Sequence, residues 1–543
     1  MNLISVGSQN IILNGNPKKT FFNSTYSKYT NFGFQQFRLD YDGQRVLNFR
    51  SENVFKFKVP RYADLLNDVY VVINLPDIWS SIYVPPTVDT SLNNVRPYEF
   101  KWIEDLGTNM IKDIKILIGG QVINQYTGEY IAMIKERDFN DAKKNLFNKM
   151  TGNVAGLNDP GNSNGNTNAY PTSYWYNIGD EHDNIVAHKN EEPSIRGRQL
   201  FIPLESWFGQ STKMAFPLVS LQYMEMHIEV TFRSISELYM IRNVTSDISA
   251  NRDDYIAPNV NNEFHSLYRF TQPPNVPTDT SGNIVSNNEY PLKRNDWNAD
   301  IHLQATYTFL DEPERNLFAK QQQRYLLRLP YENNFLSVAG SQIVELKSRD
   351  LISNYMWRFR RSDANDRNVW SNYTNYKYQN KDILIPVFLN NKFCYFSTGD
   401  ESIENKKDIL VDLAIVVDGK YRENLLDAGT YNYIEKYNRT TGNAKDGLYL
   451  YNFSVNSNLR DLQPSGAFNT NKYNNVNLEF NTITPPIDLS GVNVNIICDN
   501  GVPIGVDKNV TQIYEYNYDL KVVEERYNVL VFTGGMAGLE FAR

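Results

Sequence analysis

Short segments with the composition of β-strands recur along the whole chain, and this pattern constrains the fold more than any other. The segments are rich in valine, isoleucine, phenylalanine and tyrosine, and glycine, asparagine, aspartate or proline bounds each of them. Several alternate apolar with polar residues, as strands with one buried face do. The clearest examples are Val54–Val59, Val69–Leu75, Ile111–Ile118, Met224–Phe232, Ile301–Leu310, Ile409–Val417, Leu448–Val455 and Val529–Phe532. We therefore expect a sandwich, a barrel or a jelly roll rather than a doubly wound sheet.

Convincing helical patterns are few. One candidate helix begins near Thr127 and carries Tyr130, Ile131 and Ile134 on one face. Another follows Asp311, which can cap a helix whose first turn accepts the proline two residues later. Both are short, so we expect them to lie in the connections of a β-fold rather than to form a helical fold.

Composition excludes several classes of protein. The chain has 543 residues, of which 41% are apolar, so it can bury a substantial core. Its net charge of −8 offers no basic face for nucleic acid. The two cysteines, Cys394 and Cys498, are too few for an oxidised scaffold, and we interpret both as reduced thiols. No apolar run approaches the roughly 18 residues of a transmembrane helix, and the first residues lack the pattern of a secretory signal peptide.

Two stretches have the composition of long loops. Residues 153–168 contain almost no large apolar side chain, and residues 241–298 show little periodic pattern. Loops of this length in a compact domain are usually functional, exposed or disordered. The second stretch lies near the middle of the chain, where a boundary between two large domains would fall.

The two halves of the chain resemble each other. Three matches occur in the same order in both halves, and a glycine followed by a Tyr-Ile pair comes after the second match in each half. Because strands resemble one another easily, each match alone also fits chance, but three in order favour a duplicated β-domain. The matches are Asp64–Tyr70 with Asp350–Met356, Asp113–Gly120 with Asp412–Gly419, Tyr223–Val230 with Tyr473–Phe480, and Gly128, Tyr130 and Ile131 with Gly429, Tyr433 and Ile434.

Motifs of known catalytic chemistry are missing from the sequence. It contains no phosphate-cradling loop, dinucleotide fingerprint, nucleophile elbow or zinc-protease motif, and only five histidines. The best candidate metal cluster is Asp180-Glu181-His182-Asp183 with His188, which we interpret as a solvated acidic loop. We predict no catalytic, cofactor-binding or metal-binding residue.

Three weaker candidates have plainer interpretations. Adjacent acids point to opposite faces of a strand, so we interpret Glu191-Glu192, Asp253-Asp254 and Glu524-Glu525 as surface charge. The run Gly534–Gly538 could cradle an anion, but a close turn of the terminal strand is the favoured interpretation. The aromatic cluster of Trp370, Tyr373, Tyr376 and Tyr378 could bind sugar, but packing is favoured.

Asn-X-Ser/Thr sites are also numerous in this asparagine-rich chain. Without a secretory signal we favour no conventional glycosylation. The sites are Asn23, Asn243, Asn372, Asn438, Asn452 and Asn509.

Three segments carry a specific likeness to a known family. They are Gly15–Phe34 (GNPKKTFFNSTYSKYTNFGF), Ala305–Arg328 (ATYTFLDEPERNLFAKQQQRYLLR) and Tyr527–Arg543 (YNVLVFTGGMAGLEFAR). Together they resemble the major capsid proteins of nucleocytoplasmic large DNA viruses. The matching positions are Gly15, Asn16, Pro17, Thr20, Phe21, Phe22, Tyr26, Thr30, Asn31, Phe32, Tyr307, Phe309, Leu310, Asp311, Glu314, Arg315, Phe318, Ala319, Tyr527, Asn528, Leu530, Gly535, Met536, Gly538 and Leu539.

The resemblance implies an all-β fold of two consecutive eight-stranded jelly rolls with long loop insertions and a few short helices. We accordingly expect an N-terminal arm at 1–30, a first jelly roll at 31–240, an inter-domain loop region at 241–298 and a second jelly roll at 299–543. It also implies a structural subunit that forms pseudo-hexameric homotrimers, which tile an icosahedral shell.

Further expectations concern placement and partners. Loops at 150–197, 241–298, 361–382 and 436–447 would form the outer surface, since loops at one end of a sandwich can lengthen freely. The N-terminal arm would face minor capsid and penton proteins or neighbouring capsomers, with Phe21, Phe22 and Tyr26 as anchors. These three side chains could equally pack under their own first jelly roll.

The resemblance also implies location and leaves rivals. The protein would be made and assembled in the host cytoplasm and reside in the virion capsid, without direct contact with nucleic acid and with an internal viral membrane nearby. The rivals are a minor capsid or scaffolding protein of the same fold and a β-sandwich carbohydrate-binding protein.

Overall fold

Two β-sandwiches of the same design make up the fold. The computed structural model describes residues 7–80, 82–83, 96–167, 170–171, 174–178, 185–189, 192–242, 255–273, 290–375, 384–389, 392–397, 407–484, 494–499, 502–508 and 516–541. Within these residues, the strands of each sandwich form two facing antiparallel sheets. The chain therefore contains two successive modules.

The first sandwich contains strands β1 to β8. One sheet has the order β1-β8-β3-β6, and the facing sheet has the order β2-β7-β4-β5. The strands are β1 (Phe32–Asp40), β2 (Asn53–Val59), β3 (Leu65–Asn74), β4 (Ile111–Ile118), β5 (Gln121–Tyr126), β6 (Gln199–Pro203), β7 (Met226–Phe232) and β8 (His302–Leu310).

The second sandwich repeats this arrangement with strands β9 to β16. Its sheets have the orders β9-β16-β11-β14 and β10-β15-β12-β13, so each strand takes the place of the strand eight numbers earlier. The strands are β9 (Gln323–Val338), β10 (Ser341–Leu346), β11 (Leu351–Arg361), β12 (Leu410–Val417), β13 (Lys420–Asp427), β14 (Leu448–Asn452), β15 (Val476–Thr482) and β16 (Tyr518–Thr533).

Both sandwiches are jelly rolls: successive strands cross between the two sheets except at the central hairpin, β4-β5 or β12-β13, and the last strand inserts beside the first. The predicted double jelly roll is thus confirmed. The predicted internal repeat is correct in register as well as in order. The sequence matches equate Ile116 with Ile415 and Ile228 with Leu478. The structure pairs Ile228 with Ile116, and Leu478 with Ile415.

The division between the sandwiches differs from the expected boundary at residue 299. Strand β8 hydrogen-bonds to β1 and β3, so it completes the first sandwich. Its counterpart, β16, closes the second sandwich in the same way. The sheets therefore divide after Leu310. The apolar pattern of β8 predicts a strand correctly but does not say which sheet receives it.

Three α-helices of nine or more residues lie in the described part of the chain. They are α1 (Gly128–Asp138), α2 (Asp141–Thr151) and α3 (Glu312–Lys320). Both predicted helices are present, and the Asp311 carboxylate caps α3 by accepting a hydrogen bond from the Glu312 backbone N–H. No described helix combines the length and apolarity needed to cross a membrane.

Shorter elements decorate the connections. The short helical segments are Ser8–Asn10, Ile11–Asn14, Leu106–Asn109, Ala155–Asn158, Pro160–Asn162, Trp207–Gln210, Thr212–Met214, Leu218–Ser220, Ile235–Glu237, Glu263–His265, Leu267–Arg269, Ala364–Arg367, Thr430–Ile434, Glu435–Arg439 and Thr470–Lys472. The additional short strands are Val46–Asn48, Ile82–Tyr83, Arg96–Pro97, Phe100–Trp102, Tyr174–Ile178, Ile185–Lys189, Phe216–Pro217, Tyr239–Arg242, Tyr255–Ile256, Asp296–Asn298, Leu384–Leu389, Lys392–Ser397, Phe468–Asn469, Val494–Asp499, Val502–Lys508 and Met536–Leu539.

The five longest connections lie at one end of the sandwiches, whereas two of intermediate length, 204–225 and 453–475, lie at the other end. Successive strands run in opposite directions, so connections that follow odd-numbered strands share one end and those that follow even-numbered strands share the other. At the first end lie the connections 75–110, 127–198, 233–301, 362–409, 428–447 and 483–517. At the other end are tight turns such as Gly119-Gly120 and Asp418-Gly419, in which both residues have positive φ, as in a type I′ hairpin. The N-terminal arm joins β1 at this second end.

Helix α1 approaches its neighbours so closely that its first residue must be glycine. A Cβ atom at Gly128 would lie 1.9 Å from the Thr108 carbonyl oxygen and 2.6 Å from that of Ile111. Both contacts are with backbone, which cannot move aside without shifting the helix or β4. The glycine therefore sets how deeply α1 sits.

We predict that Gly128→Ala lowers the free energy of unfolding by about 3 kcal/mol through overpacking. Helix propensity alone would give a gain of about 1 kcal/mol, so the sign of the change separates the two effects. Urea denaturation followed by tryptophan fluorescence measures it. Gly538→Ala is the matched control, because its Cβ would meet nothing within 4 Å. A neutral or stabilising Gly128→Ala would contradict the close approach.

Candidate functional site at the junction of the two sandwiches

Helix α1 is buried all round between the two sandwiches. The predicted apolar face is present, with Tyr130, Ile131 and Ile134 each no more than 3% exposed. The charged residues of the helix are buried as well, and Arg137 is fully enclosed. A helix with charges on its remaining face normally turns that face to water. Here the second sandwich covers it, so the charges need partners there.

Arg137 joins α1 to the centre of the second sandwich. Its guanidinium donates from Nε to Asp138 at 2.7 Å and from Nη1 to Glu525 at 2.9 Å. The Tyr130 hydroxyl and the Asn354 amide also donate to Glu525, at 2.9 Å and 2.7 Å. Burial raises the pKa of the Glu525 carboxyl, but Arg137 outweighs it and leaves that pKa below its usual value. The carboxylate therefore remains charged.

Glu129 forms a second charged group at the start of α1. Its carboxylate accepts from Arg358 Nε at 2.6 Å and lies 2.9 Å from Lys521 Nζ. Lys521 also bonds Glu332, whose carboxylate accepts from the Thr127 backbone N–H at 2.9 Å. Burial raises the pKa of Glu129, but Arg358 and Lys521 together lower it well below its usual range. The start of the helix is thus fixed to β9, β11 and β16.

A third group fixes the middle of α1 to the first sandwich and to a loop of the second. Lys135 Nζ lies 2.6 Å from Asp105 and 3.3 Å from Glu136. The Ser371 hydroxyl donates to Asp105 at 3.0 Å. Burial raises the pKa of Asp105, whereas Lys135 and Lys445 lower it, and their effect prevails. Residue Ser371 belongs to the connection between β11 and β12, so this group also spans both sandwiches.

Two of the expected outer loops take part in this junction. The Asn368 amide donates to the carbonyls of Ser236 and Tyr239, and Trp370 Nε1 donates to that of Glu237. Residues 361–375 therefore pack against the first sandwich, where we expected a free outer loop. Residues 440–445 do the same, since the Gly442 N–H donates to the Arg137 carbonyl at 2.8 Å.

The pair Glu524-Glu525 corrects the interpretation as surface charge, because both residues are 0% exposed. Their side chains point to opposite faces, as predicted for neighbours on a strand. Glu525 faces α1. Glu524 faces away from it and accepts from Arg526 and from the Ser348 hydroxyl. No sequence signal marked Glu525 as buried, since its partners lie between 171 and 395 positions away along the chain.

Two other candidates from the sequence have structural roles. Trp370 and Tyr373 are 7% and 4% exposed, so they pack in the junction and offer no platform for sugar. Gly534 and Gly535 have positive φ and form the turn that leads from β16 into Met536–Leu539.

The remaining candidates lie partly or wholly outside the described residues. Tyr376, Tyr378 and His182 are outside them, and of the His188 side chain nothing is described. Within the described residues, no group of three or more histidine, cysteine, aspartate and glutamate side chains is arranged to hold a metal.

The N-terminal arm carries the most exposed aromatic side chains of the described chain. Phe21, Phe22 and Tyr26 have relative exposures of 104%, 98% and 90%. The three side chains are thus exposed in the single chain, and their role as contacts to other proteins stays a prediction. Large apolar side chains exposed together are typical of an interaction surface.

The charged groups of this junction have a structural role. The buried ions of α1 are paired and hydrogen-bonded within the chain, which fixes one relative position of the two sandwiches. The arrangement suits a rigid building block.

We predict that Arg137→Met lowers the free energy of unfolding by about 3–5 kcal/mol, because Glu525 and Asp138 would remain buried without a cation. Chemical denaturation of the purified chain provides the measurement. The control is Arg196→Met, whose side chain is 76% exposed and whose pair with Glu192 should be worth less than about 1 kcal/mol. Equal losses in the two variants would show that the junction does not depend on this charge.

Two family models match the chain, one for each sandwich. The model described as the major capsid protein N-terminus matches residues 20–266. The model described as the large eukaryotic DNA virus major capsid protein matches residues 314–538. Together they span most of the chain.

Individual relatives agree with these models over nearly the full length. Probable capsid protein 4 of Acanthamoeba polyphaga mimivirus is 22% identical, over 88% of this chain and 91% of that protein. The major capsid protein of Paramecium bursaria Chlorella virus 1 is also 22% identical, over 99% and 98% of the two chains. Among solved structures, the Faustovirus major capsid protein superposes with a TM-score of 0.60 at 13% identity, covering 95% of this chain and 93% of that one.

These relatives are structural capsid proteins and not enzymes, in agreement with the prediction from the sequence. The resemblance found in the three sequence segments is confirmed by the matches to both sandwiches. The chain belongs to the major capsid protein family of large eukaryotic DNA viruses.

Proposed function

We propose that this chain is the repeating structural subunit of an icosahedral virus shell and that it acts as a homotrimer. One observation on this chain supports the proposal in addition to its family membership. The same helix is present in both jelly rolls, but it is covered in the first and uncovered in the second.

The two helices follow equivalent hairpins. Helix α1 follows β4 and β5, and the helical segment 430–439 follows β12 and β13. The sequence repeat equates Tyr130 with Tyr433 and Ile131 with Ile434. The first pair is 3% and 0% exposed, whereas the second pair is 58% and 54% exposed. Tyr437, one turn further along, is 89% exposed. This apolar face lacks the cover that its counterpart has.

A matching surface exists on the first sandwich. Helix α1 lies on the outer face of β9, β16 and β11. The corresponding face of the first sandwich is formed by β1, β8 and β3. Its outward side chains include Phe34, which is 55% exposed, and Gln36, which accepts from Gln304 at 2.7 Å. A second copy of the chain therefore offers the segment 430–439 the kind of surface that α1 occupies within one chain.

Such a contact joins two different surfaces, so it is head-to-tail and generates a ring when the rotation closes. Three chains with two jelly rolls each give a ring of six lobes. In that ring every jelly roll has a jelly roll of the other kind on each side. We assign the lobes of one chain to residues 32–310 and 323–541. Rings of this shape can tile a curved shell as pseudo-hexamers.

The two ends of the subunit would face opposite sides of the shell. The five longest connections share one end, and we assign that end to the exterior because loops there can vary without disturbing the sandwiches. The N-terminal arm leaves from the other end. There Phe21, Phe22 and Tyr26 would contact minor capsid and penton proteins or adjacent capsomers. Assembly in the host cytoplasm, beside an internal viral membrane, belongs to the same proposal.

We predict that Tyr437→Lys converts the trimer to monomers. A lysine there would place an unpaired charge in each of three contacts, at a cost of roughly 3 kcal/mol per contact. Light scattering coupled to size exclusion should report about three times 62.9 kDa for the native chain and 62.9 kDa for the variant. Ile343→Lys is the matched control, because Ile343 is 64% exposed on the opposite edge of the second sandwich. Trimers that persist in Tyr437→Lys with an unchanged unfolding midpoint would rule out this interface.

We predict that the combined change Phe21→Ala, Phe22→Ala and Tyr26→Ala leaves the trimer intact but abolishes its assembly into larger shells. The three rings are exposed in the single chain, so the free energy of unfolding should change by less than about 0.5 kcal/mol. Electron microscopy of assembly reactions and a denaturant titration test the two statements. A loss of 2 kcal/mol or more would instead indicate that the arm packs on its own jelly roll.

A further inference from the structure

A cleft of about 480 Å³ opens between the two sandwiches beside the start of α1. The first sandwich contributes Lys112 and Arg233 to its lining, and the second contributes Arg358, Arg360 and Lys521. Five cationic side chains thus converge on one space. Arg358 and Lys521 neutralise the Glu129 carboxylate of α1. The remaining cations need other counter-charges.

The acids that line the cleft are already engaged. Glu129 bonds Arg358 and Lys521, as described above. Glu52 pairs with Lys112 at the rim. Asp113 accepts from Gln125 at 3.1 Å and lies 3.5 Å from Lys115. Asp519 accepts from a backbone N–H on β9 at 3.4 Å. Each of these carboxylates has a shorter contact than any it makes with Arg360.

Arg360 is the cation with the weakest compensation. Its side chain is 12% exposed, and its nearest carboxylate oxygen, on Glu129, is 3.8 Å away. The Nε atom makes no hydrogen bond within the described part of the chain. The ring of Trp370 covers one face of the guanidinium at 5.0 Å from its centroid. A buried guanidinium with five donors normally bonds carboxylates or other acceptors.

Neighbouring cations add to the uncompensated positive charge around Arg360. Arg233 stacks on the same tryptophan at 4.3 Å, and its own partners are Glu237 and the Asn109 carbonyl. Burial, followed by repulsion from Arg358, lowers the pKa of Arg360 to about 10. The side chain nevertheless stays charged at neutral pH. Excess positive charge therefore faces a space large enough for a ligand.

We propose that this cleft binds a phosphate group, with the Arg360 guanidinium as its principal ligand. Phosphate oxygens accept two parallel hydrogen bonds from a guanidinium fork, which would satisfy the unbonded donors of Arg360. Lys112 also lines the cleft and, although it pairs with Glu52, would donate a further hydrogen bond from its ammonium group. The bound group would bridge the two sandwiches and stabilise their relative position.

Calorimetric titration of the native trimer tests the proposal with two probes, inorganic phosphate and glycerol 3-phosphate. Both titrations are run at constant ionic strength in chloride, so that general screening cancels. We expect saturable binding and a rise in the thermal unfolding midpoint with phosphate concentration. Stronger binding of inorganic phosphate would identify the free ion as the ligand, and stronger binding of glycerol 3-phosphate would identify a phosphomonoester.

Three variants locate the site. Arg360→Gln should weaken phosphate binding by at least about tenfold, which corresponds to about 1.4 kcal/mol. Arg360→Lys should retain part of the affinity, because it keeps the charge but loses the fork. Arg294→Gln removes an arginine that is 74% exposed and should leave binding unchanged. Absence of saturable binding to the native protein, or equal binding by Arg360→Gln, would overturn the proposal.

Discussion

The buried charges of α1 are the constraint on which the rest of the arrangement depends. A lone ion in the interior of a protein costs several kcal/mol, so Arg137 and Glu129 must each meet an opposite charge. Those charges, Glu525 and Arg358, belong to the second sandwich. Two apolar surfaces can shift slightly against each other at little cost. Charged hydrogen bonds of 2.6–2.9 Å would be broken by such a shift. The two jelly rolls therefore meet at one fixed angle, which a subunit of a regular shell requires.

One duplicated module uses the same helix in two ways. In the first jelly roll the helix carries charges and is enclosed by its own chain. In the second, Tyr433, Ile434 and Tyr437 present an apolar face. In the proposed trimer, polar contacts would fix geometry within a chain and apolar contacts would join chains. Apolar contacts suit association because they are less sensitive to small errors of approach.

Much of the fold could be predicted from the sequence, because alternating apolar residues mark strands and the repeat preserves even the pairing of Ile228 with Ile116. Strand β8 follows residue 299 but joins the sheet of the first sandwich, which a strand pattern alone does not reveal. The buried acids were missed for a related reason. Tyr130 and Glu525 are 395 positions apart, and local patterns carry no information over that distance. The exposure of the arm was likewise undecided, because an aromatic residue fits a core or a contact equally well.

The long separation between α1 and β16 along the chain has a consequence for biosynthesis. Arg137 is translated 388 residues before Glu525. At roughly 5–20 residues per second, Glu525 is added to the chain on the order of tens of seconds after Arg137. Throughout that interval Arg137 has Asp138 as a partner but lacks Glu525, on the side where the second jelly roll will pack. The two jelly rolls of the nascent chain thus reach their final arrangement only after β16 has been translated.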